Sequence, residues 1–367
     1  MSNNYEKHII PDKNLQVPST IGDIDVAMYS VRKPPFSIYG LYRPLEEPEF
    51  KRIPDEITQP ISEALFSLGR SSAGGRVRFS TDSPYVAIRA NYDKVGKMPH
   101  FPLTGSVGFD LYIDDPTTGH SRYCKTFVPP FTIEDSYESA IILKGKKLRY
   151  FTIHFPTYSN VRDLWVGVAP DATLGEGLRY LDVDPIVYYG SSITQGGCSS
   201  RPGNCYENII TRRMGIDHIN LGFSGNGKAE ESMARYLATL KMSVFVCDYD
   251  HNAPTPEYLR ATHKRLYEIF REKQPDTPYL MISKPDFLSV TSQDQNIERR
   301  EIIQNTYRYA RENGDTNAYF IDGSTFFRGP YQEMATVDGC HPNDLGFALM
   351  ADKIEAKLRT IFTQRYL

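Results

Sequence analysis

The sequence predicts a mixed α/β protein: a C-terminal three-layer α/β/α unit around a parallel sheet, preceded by a jelly-roll-like β-sandwich. Three observations carry that prediction. The first half is a succession of short strands with turn residues between them. After Pro185, short apolar runs alternate with long helical patterns. And 367 residues exceed one typical domain of about 100–200. The division expected from this is 1–175 for the sandwich and 184–367 for the α/β unit, with the boundary near residues 170–184.

In the first unit, RVRFS (76–80), YVAIRANY (85–92), GFDLYID (108–114), AIILK (140–144), RYFTIHFP (149–156) and LWVGVA (164–169) are rich in β-branched and aromatic residues. Several alternate apolar with polar, as half-buried antiparallel strands do. SSAGG (71–75), DDPTTG (114–119) and LKGKK (143–147) supply the turns between them. In the second unit, IVYYG (186–190), HINLGF (218–223), VFVCDYD (244–250), YLMIS (279–283) and AYFIDG (318–323) read as strands buried on both faces. The helices between them are carried by NIITRRM, ESMARYLATL, PEYLRATHKRLYEIFREK and NIERREIIQNTYRYAREN, with DLGFALMADKIEAKLRTIF after the last strand. Such alternation gives a parallel sheet with its chemistry at the carboxyl ends of the strands.

The predicted strand ends are polar. The first ends in Gly190-Ser191-Ser192, where a hydroxyl can stand above the sheet edge and act as a nucleophile once a base takes its proton. The second ends in Gly222–Lys228, which fits either a phosphate-cradling GxxxxGK loop or a glycine loop whose amides hold an oxyanion. Ala229 follows, where the phosphate loop would place the hydroxyl that meets magnesium. The third ends in Asp248-Tyr249-Asp250-His251-Asn252, a set of metal-ligand types or a polar strand end with one functional amide. Extended alternation would point 248 and 250 away from 249 and 251. Beyond the fifth strand, Asp338 and His341 are three apart across a glycine. A single turn then lets the carboxylate fix the ring tautomer and leave the other nitrogen as a base.

Composition narrows the partners. Forty-two basic against 45 acidic residues, net charge −3, gives no reason to expect nucleic acid, and no apolar run is long enough to span a membrane. The N-terminus shows no signal-peptide pattern, so a cytoplasmic location is expected for the chain as written, with an exported origin open if a signal was trimmed. Five cysteines with no CxxC pair argue against a thiolate zinc site, leaving a Cys198–Cys205 bridge open. The 25 tyrosines fall largely at strand positions.

Taken in order, the blocks around Ser192, Gly225, Asn252 and Asp338/His341 resemble those of the SGNH hydrolase superfamily, the GDSL-type esterases. The resemblance implies a flavodoxin-like α/β/α domain with Ser192 as nucleophile and Asp338 and His341 completing the triad. It also implies Ser192, Gly225 and Asn252 as oxyanion donors, and no metal or cofactor. The first block reads Gly-Ser-Ser where the family has Gly-Asp-Ser, which leaves Ser191 beside Ser192 as a second hydroxyl. Gly108-Phe109-Asp110-Leu111-Tyr112 looks like the GxDLY motif of the β-domain that precedes some of these esterases. By analogy with that layout the substrate expected is a small-molecule or oligosaccharide ester, O-acetyl carbohydrate above all, with Arg201 reaching an anionic or sugar oxygen. The rival classes are a metal-dependent phosphoesterase or nucleotide hydrolase using Gly222–Lys228, a metal hydrolase at Asp248, Asp250, His251 and His341, and a non-catalytic carbohydrate-binding protein.

Overall fold

The computed structural model describes residues 21–285 and 293–366. Its first strands are β1 (Ala27–Ser30), β2 (Ser37–Tyr39), β3 (Arg76–Thr81), β4 (Tyr85–Lys94), β5 (Phe109–Asp114), β6 (Ser121–Phe127), β7 (Ser136–Ile142), β8 (Arg149–His154), β9 (Asn160–Val168) and β10 (Leu174–Glu176). They form two antiparallel sheets, one of order β1-β9-β4-β7 and one of order β10-β3-β8-β5-β6, with β2 on β3. The sheets share a core: Val86, Ile88, Leu164 and Val166 from one meet Val77, Phe79, Phe109 and Phe151 from the other. Phe79 and Phe151 stack at 5.3 Å between ring centroids. Both are fully buried, a gain of about 1.5–3 kcal/mol each. Short helices α1 (Asp55–Thr58), α2 (Glu63–Gly69) and α3 (Leu103–Ser106) sit in the connections.

The second unit holds β11 (Ile186–Gly190), β12 (His218–Gly222), β13 (Val244–Asp248), β14 (Tyr279–Ile282) and β15 (Ala318–Ile321), all parallel, in the order β12-β11-β13-β14-β15. Period-2 alternation divides each strand between two cores. Val187, Tyr189, Phe245 and Cys247 face one layer, and Ile186, Tyr188, Val244 and Val246 the other. Helices α4 (Ser192–Gln195), α5 (Tyr206–Met214), α6 (Glu231–Leu237), α7 (Pro256–Lys273), α8 (Gln293–Glu312) and α9 (Asp344–Tyr366) cover both faces. Helix α7 begins where the sequence signals it, with Pro256 at its first position and the Thr255 hydroxyl accepting from Tyr258 N at 3.2 Å.

Four strands escape the sequence pattern: β1, β2, β6 and β10. Strand β6 reads Ser-Arg-Tyr-Cys-Lys-Thr-Phe because it is an edge strand whose outward side chains stay in water. The third predicted strand of the second unit ends two residues early, at Asp248. All five cysteines are free, so the Cys198–Cys205 bridge is not formed, and the Cys205 thiol instead reaches Ser199 Oγ at 3.4 Å.

Candidate active site

Strand β11 lies between β12 and β13, and the chain leaves its carboxyl end where the strand order reverses, the usual crevice of an open α/β sheet. The exit is tight. A Cβ on Gly190 would lie 2.1 Å from Thr194 Oγ1 and 2.3 Å from Asp248 O, so only glycine fits. The two serines that follow separate by role. Ser191 is fully buried and its hydroxyl caps α4, accepting from Ile193 N at 3.1 Å. Ser192 opens α4, and its Oγ lies 2.9 Å from His341 Nε2. At the first helical position its amide N–H has no helical carbonyl to meet.

His341 is set by one carboxylate. Asp338 Oδ1 accepts from the backbone N–H groups of Cys340 (3.0 Å) and His341 (2.7 Å), closing the turn across Gly339 (φ +83°). Asp338 Oδ2 accepts from His341 Nδ1 at 2.7 Å. Partial burial would raise the Asp338 carboxyl, but these hydrogen bonds outweigh it and hold the group below its ordinary value. With Nδ1–H directed to a carboxylate, the network assigns the Nε2 lone pair to the Ser192 hydroxyl.

The loop after β12 is self-bonded. Asn226 N and Gly227 N donate to Phe223 O at 2.9 and 3.0 Å, and Ser224 N donates to Gln195 Oε1 at 2.9 Å. Gly225, at φ +68°, is exposed, and among the described residues its N–H meets no acceptor. Asn252, 8 % exposed, donates from Nδ2 to Phe223 O at 2.7 Å and retains a second amide hydrogen. A phosphate cradle needs several amides of one loop turned outward together. Here three are already spent, two on Phe223 O within the loop and one on Gln195 of α4, so the phosphate-binding alternative for Gly222–Lys228 loses its physical basis.

One other expectation is corrected. After Asp248 the chain turns through Asp250–Asn252 as a 3-10 helix, so strand alternation does not apply. Ligand atoms of Asp248, Asp250 and His251 come within 4.8 Å of one another, without His341. The Asp250 carboxylate accepts from Lys284 N at 3.0 Å, tying this turn to the end of β14. Arg201 turns to the sandwich: its guanidinium donates to Tyr112 OH at 2.7 Å, lies 3.6 Å from Asp110 Oδ2 and covers the Tyr123 ring at 3.8 Å. None of its contacts is to Ser192, Asp338 or His341.

The sandwich also braces the site, which local pattern does not reveal. Gln195 Nε2 donates to Thr157 O at 3.1 Å while its Oε1 holds Ser224 N, so one side chain joins α4, the glycine loop and the β8–β9 connection. The Tyr158 hydroxyl donates to Ser192 O at 3.3 Å. Buried Arg52 donates to Gly222 O (2.7 Å) and Asn220 O (3.1 Å), and to Ser71 O (2.9 Å) on its own side. Burial drops its pKa to about 9. Asp110, fully buried, accepts from Gly203 N at 2.9 Å and from the His154 ring at 2.8 Å, pinning the loop that follows α4. Gly105 packs against that same loop, where a Cβ would stand 2.1 Å from Ser199 O. The aspartate and tyrosine of the GxDLY motif, Asp110 and Tyr112, both bridge to the second unit, at Gly203 and Arg201.

Comparison with known proteins agrees with this architecture. Residues 183–359 match the family described as GDSL-like Lipase/Acylhydrolase, and residues 27–174 match the N-terminus of Esterase_SGNH_hydro-type, named GxDLY. Comparison with curated proteins gave no match. Among solved structures, a Bacteroides ovatus protein described as GDSL-like superposes with a TM-score of 0.83 at 27% identity, over 92% of this chain and 98% of that one. The salicylyl-acyltransferase SsfX3 of a tetracycline biosynthetic pathway gives 0.70 at 19%, over 92% and 97%. An acetyl xylan esterase, Est2A, of the rumen bacterium Butyrivibrio proteoclasticus gives 0.54 at 12%, over 91% and 98%. With its strand-end blocks, its sheet order and its GxDLY segment in place, the chain carries a GDSL-like lipase/acylhydrolase domain over residues 183–359, preceded over residues 27–174 by the GxDLY N-terminal domain of SGNH-type esterases.

Proposed function

We propose that this acylhydrolase is a serine esterase that removes short acyl groups, acetyl foremost, from carbohydrate, with residues 1–175 as accessory unit and 184–367 as catalytic unit. The observation that carries the proposal is the unbroken hydrogen-bonded chain from Ser192 Oγ through His341 (2.9 Å) to Asp338 (2.7 Å) at a sheet edge. His341 Nε2 takes the Ser192 proton as Oγ attacks the ester carbonyl, and Asp338 steadies the imidazolium. The oxyanion is held by the Ser192 and Gly225 N–H groups and the free hydrogen of Asn252 Nδ2. His341 then returns its proton to the leaving alkoxide, activates water, and the acyl group departs as acid. No step needs a metal. The acetylated-carbohydrate substrate class follows the acetyl xylan esterase that shares the fold.

Turnover of p-nitrophenyl acetate with and without EDTA, together with acetate release from acetylated oligosaccharides, tests the proposal. Acetate release undiminished by EDTA is expected. Loss of activity with the chelator would move the chemistry to a metal, and sugar binding without turnover would leave a binding protein.

A further inference from the structure

Beside the proposed triad stands a second set of metal-binding atoms. His100 is exposed on the segment before α3, and its ring centroid lies 5.9 Å from that of His341. Cys198, 3 % exposed, lies in the loop that follows α4. One ligand atom from each of His100, Cys198 and His341 falls within 4.8 Å of the other two. Around tetrahedral zinc, with Zn–N of about 2.0–2.1 Å and Zn–S of about 2.3 Å, ligand atoms stand roughly 3.3–3.6 Å apart. The three atoms therefore stand at most about 1.5 Å wider than that spacing, and exposed His100 sits on a connecting segment. Cys198 keeps a left-handed backbone (φ +72°), a conformation that costs a non-glycine residue about 1–2 kcal/mol and tends to survive at functional positions. Two imidazoles and a thiolate favour zinc over magnesium or calcium.

We propose that His100, Cys198 and His341 form an inhibitory zinc site, with water in the fourth position. The site rests on the proposed hydrolase only for its inhibitory consequence. Both ring nitrogens of His341 already hydrogen-bond, one to Ser192 and one to Asp338. A zinc ion on either nitrogen breaks one of those links, and the base is lost in both cases. The Cys198 thiol must give its proton to solvent to ligate zinc, so binding depends on pH and a chelator removes the ion.

The test uses the full chain with Zn²⁺ or Co²⁺ as the only added metal. Calorimetry on Ser192→Ala, which does not turn over, is expected to show one zinc bound per chain. The cobalt form is expected to show a thiolate-to-metal charge-transfer band. In wild type, zinc at tenfold its dissociation constant should leave about a tenth of the p-nitrophenyl acetate activity. His100→Ala and Cys198→Ser should each keep metal-free activity and lose the zinc effect, with the band gone in Cys198→Ser. Should Cys198→Ser fail to fold, exposed His100→Ala decides alone. Absence of zinc uptake, or inhibition unchanged in His100→Ala, overturns the site. Absence of esterase turnover in metal-free enzyme overturns the proposed function instead, and the calorimetry still reads the metal.

Discussion

Asn252 shows how much one side chain does at this edge. Its amide bonds Phe223 O, holding the glycine loop, and retains one hydrogen, which the proposed mechanism directs to the oxyanion. Asn252→Ala is therefore expected to lower kcat about 10²–10³-fold, roughly 2.7–4 kcal/mol, the range for loss of one oxyanion donor. Unchanged turnover on an accepted ester would remove Asn252 from the mechanism. Asp338→Asn leaves the turn shape but reverses the demand on Nδ1, and kcat is expected to fall by about 10⁴, the scale of the same exchange in a serine-protease triad. At this scale the sequence was informative where chemistry is local. Asp338 and His341 lie within one turn, and serines after a strand glycine mark an edge. The resemblance put Ser192 in the nucleophile's place and left Ser191 beside it as a second hydroxyl; the helix-capping bond that engages Ser191 is visible only in three dimensions. The sequence could not place Arg201, whose partners Asp110, Tyr112 and Tyr123 lie some 80–90 positions earlier in the chain.

The elements are joined by buried polar ties between the two units. Asp110 on β5 holds the segment after α4 through Gly203, and its charge is compensated by the groups around it. Asp110→Ala removes an acceptor from a buried network and is expected to cost about 3 kcal/mol or more of stability. If the tie also positions the nucleophile loop, kcat falls with it. Calorimetry paired with steady-state kinetics checks this, and a lower Tm with unchanged kcat would make the latch purely structural. Strongly periodic elements such as α7, β11 and β13 were legible because their pattern is set by burial on one or two faces. Strand β6 was not, since an exposed edge carries no apolar signature. The turn at Asp250–Asn252 was missed because alternation was carried two residues beyond the end of β13.

For the molecule as a whole, two units share polar groups that cannot be exposed without cost. Buried His154, His218 and His263 all have lowered pKa values, each chiefly through burial, and His263 falls to about 4. The folded state therefore refuses a proton that the unfolded chain accepts below about 6.5. Stability from His263 is complete above that pH and is lost as pH falls from about 6.5 toward about 4. Thermal unfolding across that window should show Tm falling with pH, and less steeply in His263→Gln; an equal slope in the variant would assign the acid sensitivity elsewhere. The two-unit plan was legible from the change of rhythm after Pro185, whereas the mutual bracing was not, because Arg52, Gln195 and Asp110 act over long sequence separations. The central claim is that Ser192 is the acylated group. Peptide mass spectrometry after fluorophosphonate treatment reads it directly. Label confined to Ser192 and absent from Ser192→Ala is the expected result, while label on Ser191, or label that persists in Ser192→Ala, would contradict it.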